Sequence, residues 1–385
     1  VAKSEKKMLY KEIGNTGVNA SILGFGCMRF PVVDGNYGNI DKDKTFEMID
    51  AAIKGGVNYF DTAYTYHGGQ SEVVLGEALQ YKRENVIITT KILPHSLSSR
   101  DDLERILDEQ LKRLRTDHID FHFVHSLQQG AWDKAKELGV REFLDDALAD
   151  GRIKHAGFSF HDAAPVFINI LNDYDKWELA QVQHNFLEVD YQAGRAGIAE
   201  AAKRGIGVSI MEPLRGGDLV RPIPALKAVW NQNPIKRSPV AWAFRFLWGN
   251  PDISLVLSGM STLDQVLENI EAASDPTITE PFSEAEIQTF KEAREFLLSR
   301  TKVPCTKCQY CMPCPHGVNI PFCFDKYNLA SIFENLEAQK AHYSSISAKG
   351  AGASACKNCG KCVKACPQHI DIPARLKEVA KLFES

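Results

Sequence analysis

Short apolar runs recur through the first two thirds of this 385-residue chain, separated by stretches whose apolar positions have helical spacing. Residues 9–21 read as two short strands about the turn segment KEIGNTG. The runs at 22–26, 57–60, 86–90, 119–123, 155–158, 179–183, 207–210 and 254–257 then read as eight strands. Helical periodicity occupies 43–54, 71–81, 101–114, 140–150, 165–172, 197–204 and 240–248 between them. Eight strands alternating with helices predict an α/β fold closed as a parallel (β/α)8 barrel, with the opening hairpin capping its closed end. A doubly wound open sheet is the alternative, but it wants a glycine-rich nucleotide loop near its start, and LGFGCM at 23–28 matches that pattern poorly. Beyond the barrel, 280–299 reads as one more amphipathic helix with a capping box at Ser283 and Glu286, and SRTKVP at 299–304 reads as a linker.

Four polar residues stand where strands stop. Asp61 follows the run 57–60, Tyr66 lies five residues further in DTAYTY, Lys91 follows VIITT, and His125 ends IDFHFVH. Parallel barrels gather catalytic groups at the carboxyl ends of their strands. A phenol with an ordinary pKa near ~10 is a poor proton donor at neutral pH, and an adjacent ammonium lowers that value. Lys91 is the candidate ammonium and Asp61 the carboxylate that orients it. His125 is the candidate donor to a substrate carbonyl whose oxygen Tyr66 protonates. Any one of the four alone reads as structural; four at successive strand ends point to carbonyl chemistry.

Over residues 9–270, through LGFGCMRF, DTAYTY, the strand-end lysine and IDFHFVH, the chain resembles the aldo-keto reductase superfamily. The resemblance implies a TIM barrel in which Asp61, Tyr66, Lys91 and His125 form a tetrad that acts with a nicotinamide cofactor. It implies the cofactor positions as well. Gly26 ends the first strand, and Cys27 and Met28 follow it. Ser159 and Gln183 stand where the family holds the nicotinamide amide, with Phe160 in place of the usual asparagine. Met211 stands where an aromatic ring commonly stacks, and offers a softer surface. Pro213, Leu214, Arg215, Gly217 and Leu219 belong to a loop that would wrap a pyrophosphate, Arg215 adding a cation. Ser258, Gly259, Met260, Gln265, Glu268 and Asn269 complete the set after strand eight. Gly259 and Met260 replace a common lysine and serine, and Gln265 replaces an arginine. The grip on the 2′-phosphate of NADPH therefore lacks two cations, whose contacts are worth about 1.5–3 kcal/mol apiece. Ser261, Thr262 and the next helix N-terminus are the alternative phosphate donors, so NADH and NADPH both stay open.

Nine of the ten cysteines lie after residue 300. Cys305, Cys308, Cys311 and Cys314 form CTKCQYCMPCP, and Cys356, Cys359, Cys362 and Cys366 form CKNCGKCVKACP. The second is the C-x2-C-x2-C-x3-C-P run of bacterial ferredoxins, and the first is one residue shorter. The continuations CPHGVNIP and CPQHIDIP mark an internal repeat. Disulfides do not suit a cytosolic chain, and two all-cysteine zinc sites are the alternative to iron and sulfur. In the ferredoxin pattern, three cysteines hold one cluster and the Cys-Pro cysteine reaches across to the other. That rule gives one 4Fe-4S cluster to Cys305, Cys308, Cys311 and Cys366, and the second to Cys356, Cys359, Cys362 and Cys314. With helical stretches around the motifs, the region resembles the α-helical two-cluster ferredoxins. GAGAS at 350–354 reads as a flexible loop, and Cys27 and Cys323 read as packing residues.

Composition narrows the class. A net charge of −4 carries no nucleic-acid signature. No apolar run approaches the ~20 residues that cross a bilayer, and the opening VAKSEKK lacks an export core, so the predicted location is cytoplasmic with no membrane partner. A barrel fills roughly 250 residues, which predicts a barrel over 1–298 and a two-cluster domain over 299–385. Hydride moves two electrons together, whereas a cluster moves one, and a flavin bridges the two modes. Three functions follow: an NAD(P)H-dependent reductase of a small carbonyl, or alcohol dehydrogenase, with attached clusters; a flavin- or partner-coupled oxidoreductase fed by a redox protein; and a redox-sensing binding module, which leaves the tetrad unexplained. Loops 29–39, 127–139 and 215–233 are the candidate substrate walls, with Trp132 and Trp230 lining or merely packing beneath them.

Overall fold

The computed structural model describes residues 7–385, so most of the charged opening segment, residues 1–6, lies outside the described residues. Contacts divide the chain into two units, Val1–Gly216 with Arg237–Ser283, and Gly217–Lys236 with Glu284–Ser385.

In the first unit an antiparallel hairpin, β1 (Tyr10–Glu12) and β2 (Asn19–Ser21), precedes the barrel. There follow β3 (Leu23–Gly26), α1 (Lys42–Lys54), β4 (Tyr59–Asp61), α2 (Gln70–Leu79), β5 (Ile87–Ile92), α3 (Asp101–Leu114) and β6 (Ile119–Leu127). Next come α4 (Gln129–Glu137), α5 (Val140–Ala149), β7 (Ile153–Phe160), α6 (Ala164–Asp173), β8 (Trp177–Gln183), α7 (Gly194–Lys203) and β9 (Gly207–Met211). After α8 (Pro224–Gln232), which groups with the second unit, the barrel ends with α9 (Pro239–Trp248), β10 (Leu255–Ser258) and α10 (Leu263–Ala273). The eight parallel strands close in the order β10-β3-β4-β5-β6-β7-β8-β9. Helix starts follow local chemistry: Asp41, Ser238 and Thr262 each accept a backbone N–H from the first turn of α1, α9 and α10.

The two-residue period of the strands sorts side chains between two cores. Outward residues such as Phe60, Ile88, Val124, Phe158 and Val182 pack under the helices. Inward residues Tyr59, Ile87, Phe121, Phe123, Leu179, Leu255 and Leu257 fill the closed end, plugged by Ile13 and Ala20 of the hairpin. Continuing up each inner face, the apolar layer gives way to Asp61, Thr89, Lys91, Gln181 and Gln183, all buried. Gly157 makes the lower layer fit. A Cβ there would lie 2.5 Å from the Leu179 carbonyl oxygen and closer still to the Phe123 ring.

The structure corrects several expectations. Strand β6 runs on to Leu127, so His125 lies within it. The supposed substrate loop 127–139 contains α4, whose Trp132 is buried and donates Nε1–H to Asp173 Oδ2 at 2.8 Å. Much of the loop 215–233 is α8, and Trp230 is buried edge-on to Phe290. Both tryptophans pack rather than line a mouth. The helix expected from 280 begins as α11 at Glu284 (Glu284–Ser299), because the carbonyls of Ile278, Glu280 and Pro281 accept hydrogen bonds from the buried Arg245 guanidinium.

The second unit is helical: α11, then α12 (Ile320–Ile332), α13 (Leu336–Ser347), α14 (Lys361–Ala365) and α15 (Ile372–Phe383) around a core of Val303, Ile320, Phe324, Tyr343, Leu376 and Val379. Asn233 Nδ2 donates to Thr289 Oγ1 at 3.0 Å, joining the end of α8 to α11. The contacts thus group α8 and α11 with the cysteine-rich region, whereas the sequence reading divides the chain after 298. The expected linker is anchored: Val303 is fully buried, and Asn328 accepts from the N–H of Lys302 and Val303. The expected flexible loop 350–354 is pinned too, because Ala353 N–H donates to Tyr343 Oη at 2.7 Å. Among the described residues no helix is long and apolar enough to cross a membrane.

Gly157→Ala is expected to lower stability by about 1–3 kcal/mol, the usual cost of overpacking a filled core. Urea denaturation measures this, and an unchanged midpoint would show that the lower barrel layer relaxes freely.

Candidate functional site

Strand alternation delivers Asp61, Lys91 and His125 to one end of the barrel, and the turn after β4 returns Tyr66 to them. Lys91 Nζ donates to Asp61 Oδ1 in a pair with almost no solvent exposure, and to the Thr62 carbonyl at 2.8 Å. Gln181 Nε2 donates to the other Asp61 oxygen at 2.9 Å. The Lys91 ammonium lies 5.1 Å from the centre of the Tyr66 ring, and the His125 ring meets Tyr66 edge-on with centroids 5.8 Å apart.

The electrostatics follow from burial. Desolvation alone would depress the Lys91 ammonium, but Asp61 and Tyr66 together hold it above its ordinary value. Burial raises the Tyr66 phenol, and Lys91 only partly offsets this, so its pKa stands above the ordinary phenol value. The sequence reading expects the ammonium to win; desolvation wins instead. Burial, assisted by Lys91 and His161, depresses His125 to about 3, so its imidazole is neutral at pH 7. Its Nδ1 is buried without a hydrogen-bond partner among the described residues.

A polar scaffold supports these groups from outside the barrel. Gln110 Nε2 donates to the Lys91 carbonyl at 3.0 Å and to buried Glu72 at 3.0 Å. Arg113 bridges Glu72 at 3.1 Å and the Tyr64 carbonyl at 3.2 Å, two residues before Tyr66. On the other side, His67 takes a left-handed φ of 52° and stacks on Tyr37 at 4.4 Å, tying the turn to the loop after β3.

The expected cofactor positions are placed unevenly. Ser159 Oγ accepts the Ser126 N–H at 2.7 Å and keeps its hydroxyl proton to donate. Gln183 Nε2 is committed to Glu188 Oε2 at 2.7 Å, which leaves Gln183 Oε1 buried without a partner among the described residues. Gly26 and Met211 are partly exposed at their strand ends, and Met28 is exposed. Cys27 and Met260 are buried in the outer core. Pro213 is buried, and Leu214 packs against that core. Arg215 Nε pairs with Glu188 Oε1 at 3.2 Å. Gly217 and Leu219 fall in the second unit. Asn269 is buried and donates to Ser258 Oγ at 2.9 Å, Gln265 Oε1 accepts the Ser261 N–H at 2.8 Å, and Glu268 is exposed.

Three residues escaped the sequence reading. Gln181, the inward neighbour of Gln183 in QVQ, was findable from the two-residue period. Glu188, which fixes Gln183 and Arg215, has no local signal. Arg29 is exposed, and its methylenes cover Gly259: a Cβ at Gly259 would lie 2.9 Å from Arg29 Cδ. Ser261 Oγ donates to the Arg29 carbonyl at 2.9 Å. A cation thus returns to the strand-eight end from a position far from it in sequence.

The cysteines of the second unit form two cradles. Cys305, Cys308, Cys311 and Cys366 line the first, with Ile320, Phe324, Ile370 and Ile372. Cys314, Cys359 and Cys362 line the second, which Cys311 also touches. Burial raises the Cys362 thiol, and nearby Cys356, Cys359 and Cys314 raise it further. Left-handed residues at Lys307, Gln309 and Asn358 curl the backbone around the thiols. Among the described residues no three His, Cys, Asp or Glu side chains converge as around a single ion. A four-iron cluster instead spaces its thiolates around a larger body, and the crossed grouping of Cys366 and Cys314 fits that demand.

Sequence comparison matches residues 22–295 to the aldo/keto reductase family and residues 304–370 to the 4Fe-4S dicluster domain. L-galactose dehydrogenase of Arabidopsis thaliana is 26% identical over 297 residues, 70% of this chain and 89% of that protein. 6-dehydroglucose reductase of Novosphingobium aromaticivorans is 27% identical over 288 residues, 68% of this chain and 90% of that protein. Among solved structures, aldo-keto reductase AKR11C1 from Bacillus halodurans in its holo form shares the fold with a TM-score of 0.62 at 22% identity, covering 74% of this chain and 96% of that one.

Lys91→Met is expected to destabilise the chain by about 3–5 kcal/mol, because it strands the Asp61 charge in a site that excludes water. Adding Asp61→Asn should restore part of the loss in the same denaturation assay; a single variant as stable as the parent would show that Asp61 finds another partner.

Proposed function

Because the chain belongs to the aldo/keto reductase family, and so is an oxidoreductase of that type, we propose that it reduces a small-molecule carbonyl, or oxidises the matching alcohol, with NAD(P)H. The observation that carries this reading is the buried Lys91–Asp61 pair beside Tyr66 and a neutral His125. The nicotinamide, when bound, supplies or accepts hydride at the substrate carbon. Tyr66 donates its phenolic proton to the substrate oxygen, and Lys91 stabilises the phenolate left behind. Asp61, oriented by Gln181, keeps Lys91 charged. Neutral His125 donates a hydrogen bond to the same oxygen without adding a charge that would repel Lys91.

The orphaned Gln183 Oε1 and the Ser159 hydroxyl fit the N–H and C=O of a carboxamide, with Met211 as the apolar surface beside them. Arg29 and Arg215 are the cations we assign to the dinucleotide's phosphates. The thiol cradles fit two 4Fe-4S clusters, held by Cys305, Cys308, Cys311 and Cys366, and by Cys356, Cys359, Cys362 and Cys314. Such thiolates need a reducing compartment, so we assign the chain to the cytoplasm. We retain 1–298 as the reductase domain and 299–385 as the cluster domain. L-galactose dehydrogenase and 6-dehydroglucose reductase carry sugar names, so polyhydroxylated carbonyls are the first substrates to assay.

Tyr66→Phe should lower kcat for reduction by about 10²–10⁴-fold without changing cofactor affinity, since it removes only the proton donor. In the parent enzyme, burial keeps Tyr66 protonated and His125 neutral through the physiological range. The reductive kcat/KM should therefore show no limb near the ordinary histidine value of ~6.5, and should fall only on the alkaline side of ~10. Normal turnover by Tyr66→Phe, or flavin released from the denatured protein, would overturn the reading.

Glu188→Gln should raise the NAD(P)H Kd by about three- to tenfold in fluorescence titrations, because it weakens the charge-assisted bond that orients Gln183. An unchanged Kd would remove Gln183 from cofactor binding.

A further inference from the structure

The two cysteine cradles differ in what surrounds them. The first is walled by apolar residues of the second core, and the nearby cation Lys307 is paired with Asp325 at 2.6 Å. The second is lined by Lys361 and adjoins a lysine-rich stretch, although each cradle has one exposed cysteine, Cys308 in the first and Cys359 in the second. Between residues 338 and 370 the chain carries five lysines and no aspartate or glutamate. Three of them, Lys357, Lys361 and Lys364, alternate with Cys356, Cys359, Cys362 and Cys366; all three are exposed, and none has an ion-pair partner among the described residues. Cys359 itself is exposed, and Tyr310, 70% exposed, shares a cleft with Cys359, Lys361 and Cys362.

Like charges crowded on one short loop repel one another, and a chain of net charge −4 has acidic residues to intersperse among them. Here they are absent from one stretch, around an exposed cysteine. We propose that this lysine-rich face is the docking surface for a small acidic one-electron carrier protein; the proposal rests on the reading that the cradles hold two clusters. Complementary charge steers such partners and sets their orientation, and an aromatic ring beside the lysines gives the contact an apolar centre. The exchange balances simply: one electron leaves the reduced carrier, which is oxidised, and enters the cluster, which is reduced, with no bond made or broken. A phosphate backbone would also meet lysines, but it has no use for an exposed cluster ligand at their centre.

The test uses the full chain purified without oxygen and a plant-type ferredoxin as the acidic probe. Binding is measured by calorimetry at about 20 and about 300 mM salt, which shortens the reach of surface charge severalfold. Affinity should fall about tenfold or more at the higher salt, and about tenfold or more in the triple variant K357E/K361E/K364E at low salt, while K203E on the barrel binds like the parent. Brown absorption and its bleaching by dithionite, unchanged in the triple variant, separate lost docking from lost clusters. If charge reversal removes the colour, K357Q/K361Q/K364Q is read instead, with a loss of about threefold or more expected. Parent-like binding by a coloured triple variant would overturn the proposal, as would lysine-dependent binding of duplex DNA or RNA with none of ferredoxin. A colourless parent would instead remove the two-cluster reading, and the proposal with it.

Discussion

A lysine and an aspartate with almost no access to water, paired inside a barrel, constrain everything around them. Neither charge is tolerable there alone, so each remaining lone pair and proton needs a partner, and the structure supplies them from three strands and a turn. Gln181 takes the second Asp61 oxygen, and the Thr62 carbonyl takes a second ammonium proton. The pair in turn fixes the electrostatics of its neighbours. It helps to keep the His125 imidazole neutral, and it partly relieves the cost of ionising Tyr66 in a dry site. In the proposed mechanism proton donation is then local, between groups already held in place.

The rest of the first unit makes such a pair affordable. An apolar plug fills the closed end, where Gly157 leaves room for Phe123, and the hairpin seals it beneath. Polar side chains begin one layer higher on the same inner faces, so one strand period serves stability below and chemistry above. Outside the strands, Glu72, Gln110 and Arg113 brace the segments that carry Tyr66 and Lys91. That bracing matters because Tyr66 sits on a turn, and a turn without tertiary bonds would not hold a phenol in register with a fixed lysine.

The second unit answers a different requirement. Eight thiols need backbone that curls closely around them, and left-handed residues at Lys307, Gln309 and Asn358 provide it. The helical core anchors the connecting segments, so residues with the composition of a linker and of a flexible loop are held by Asn328 and Tyr343. Charge is then distributed unequally between the cradles: the cation beside one is paired with Asp325, and the lysines beside the other have no ion-pair partner among the described residues.

Local pattern was enough to determine the alternation of strands and helices, the closure into a parallel barrel and the two cysteine motifs, because strand period, helix period and ligand spacing are properties of neighbouring residues. Tertiary structure alone decided the remainder. Nothing near Glu188 announces that it orients Gln183 and Arg215, and nothing near Arg29 announces that its side chain lies across Gly259, some 230 residues away. The same holds for the Tyr66 phenol, which the sequence reading expects to be lowered by Lys91 and which burial raises instead. Desolvation depends on what the whole fold packs around a group, and that sum is not written in any local stretch of the chain.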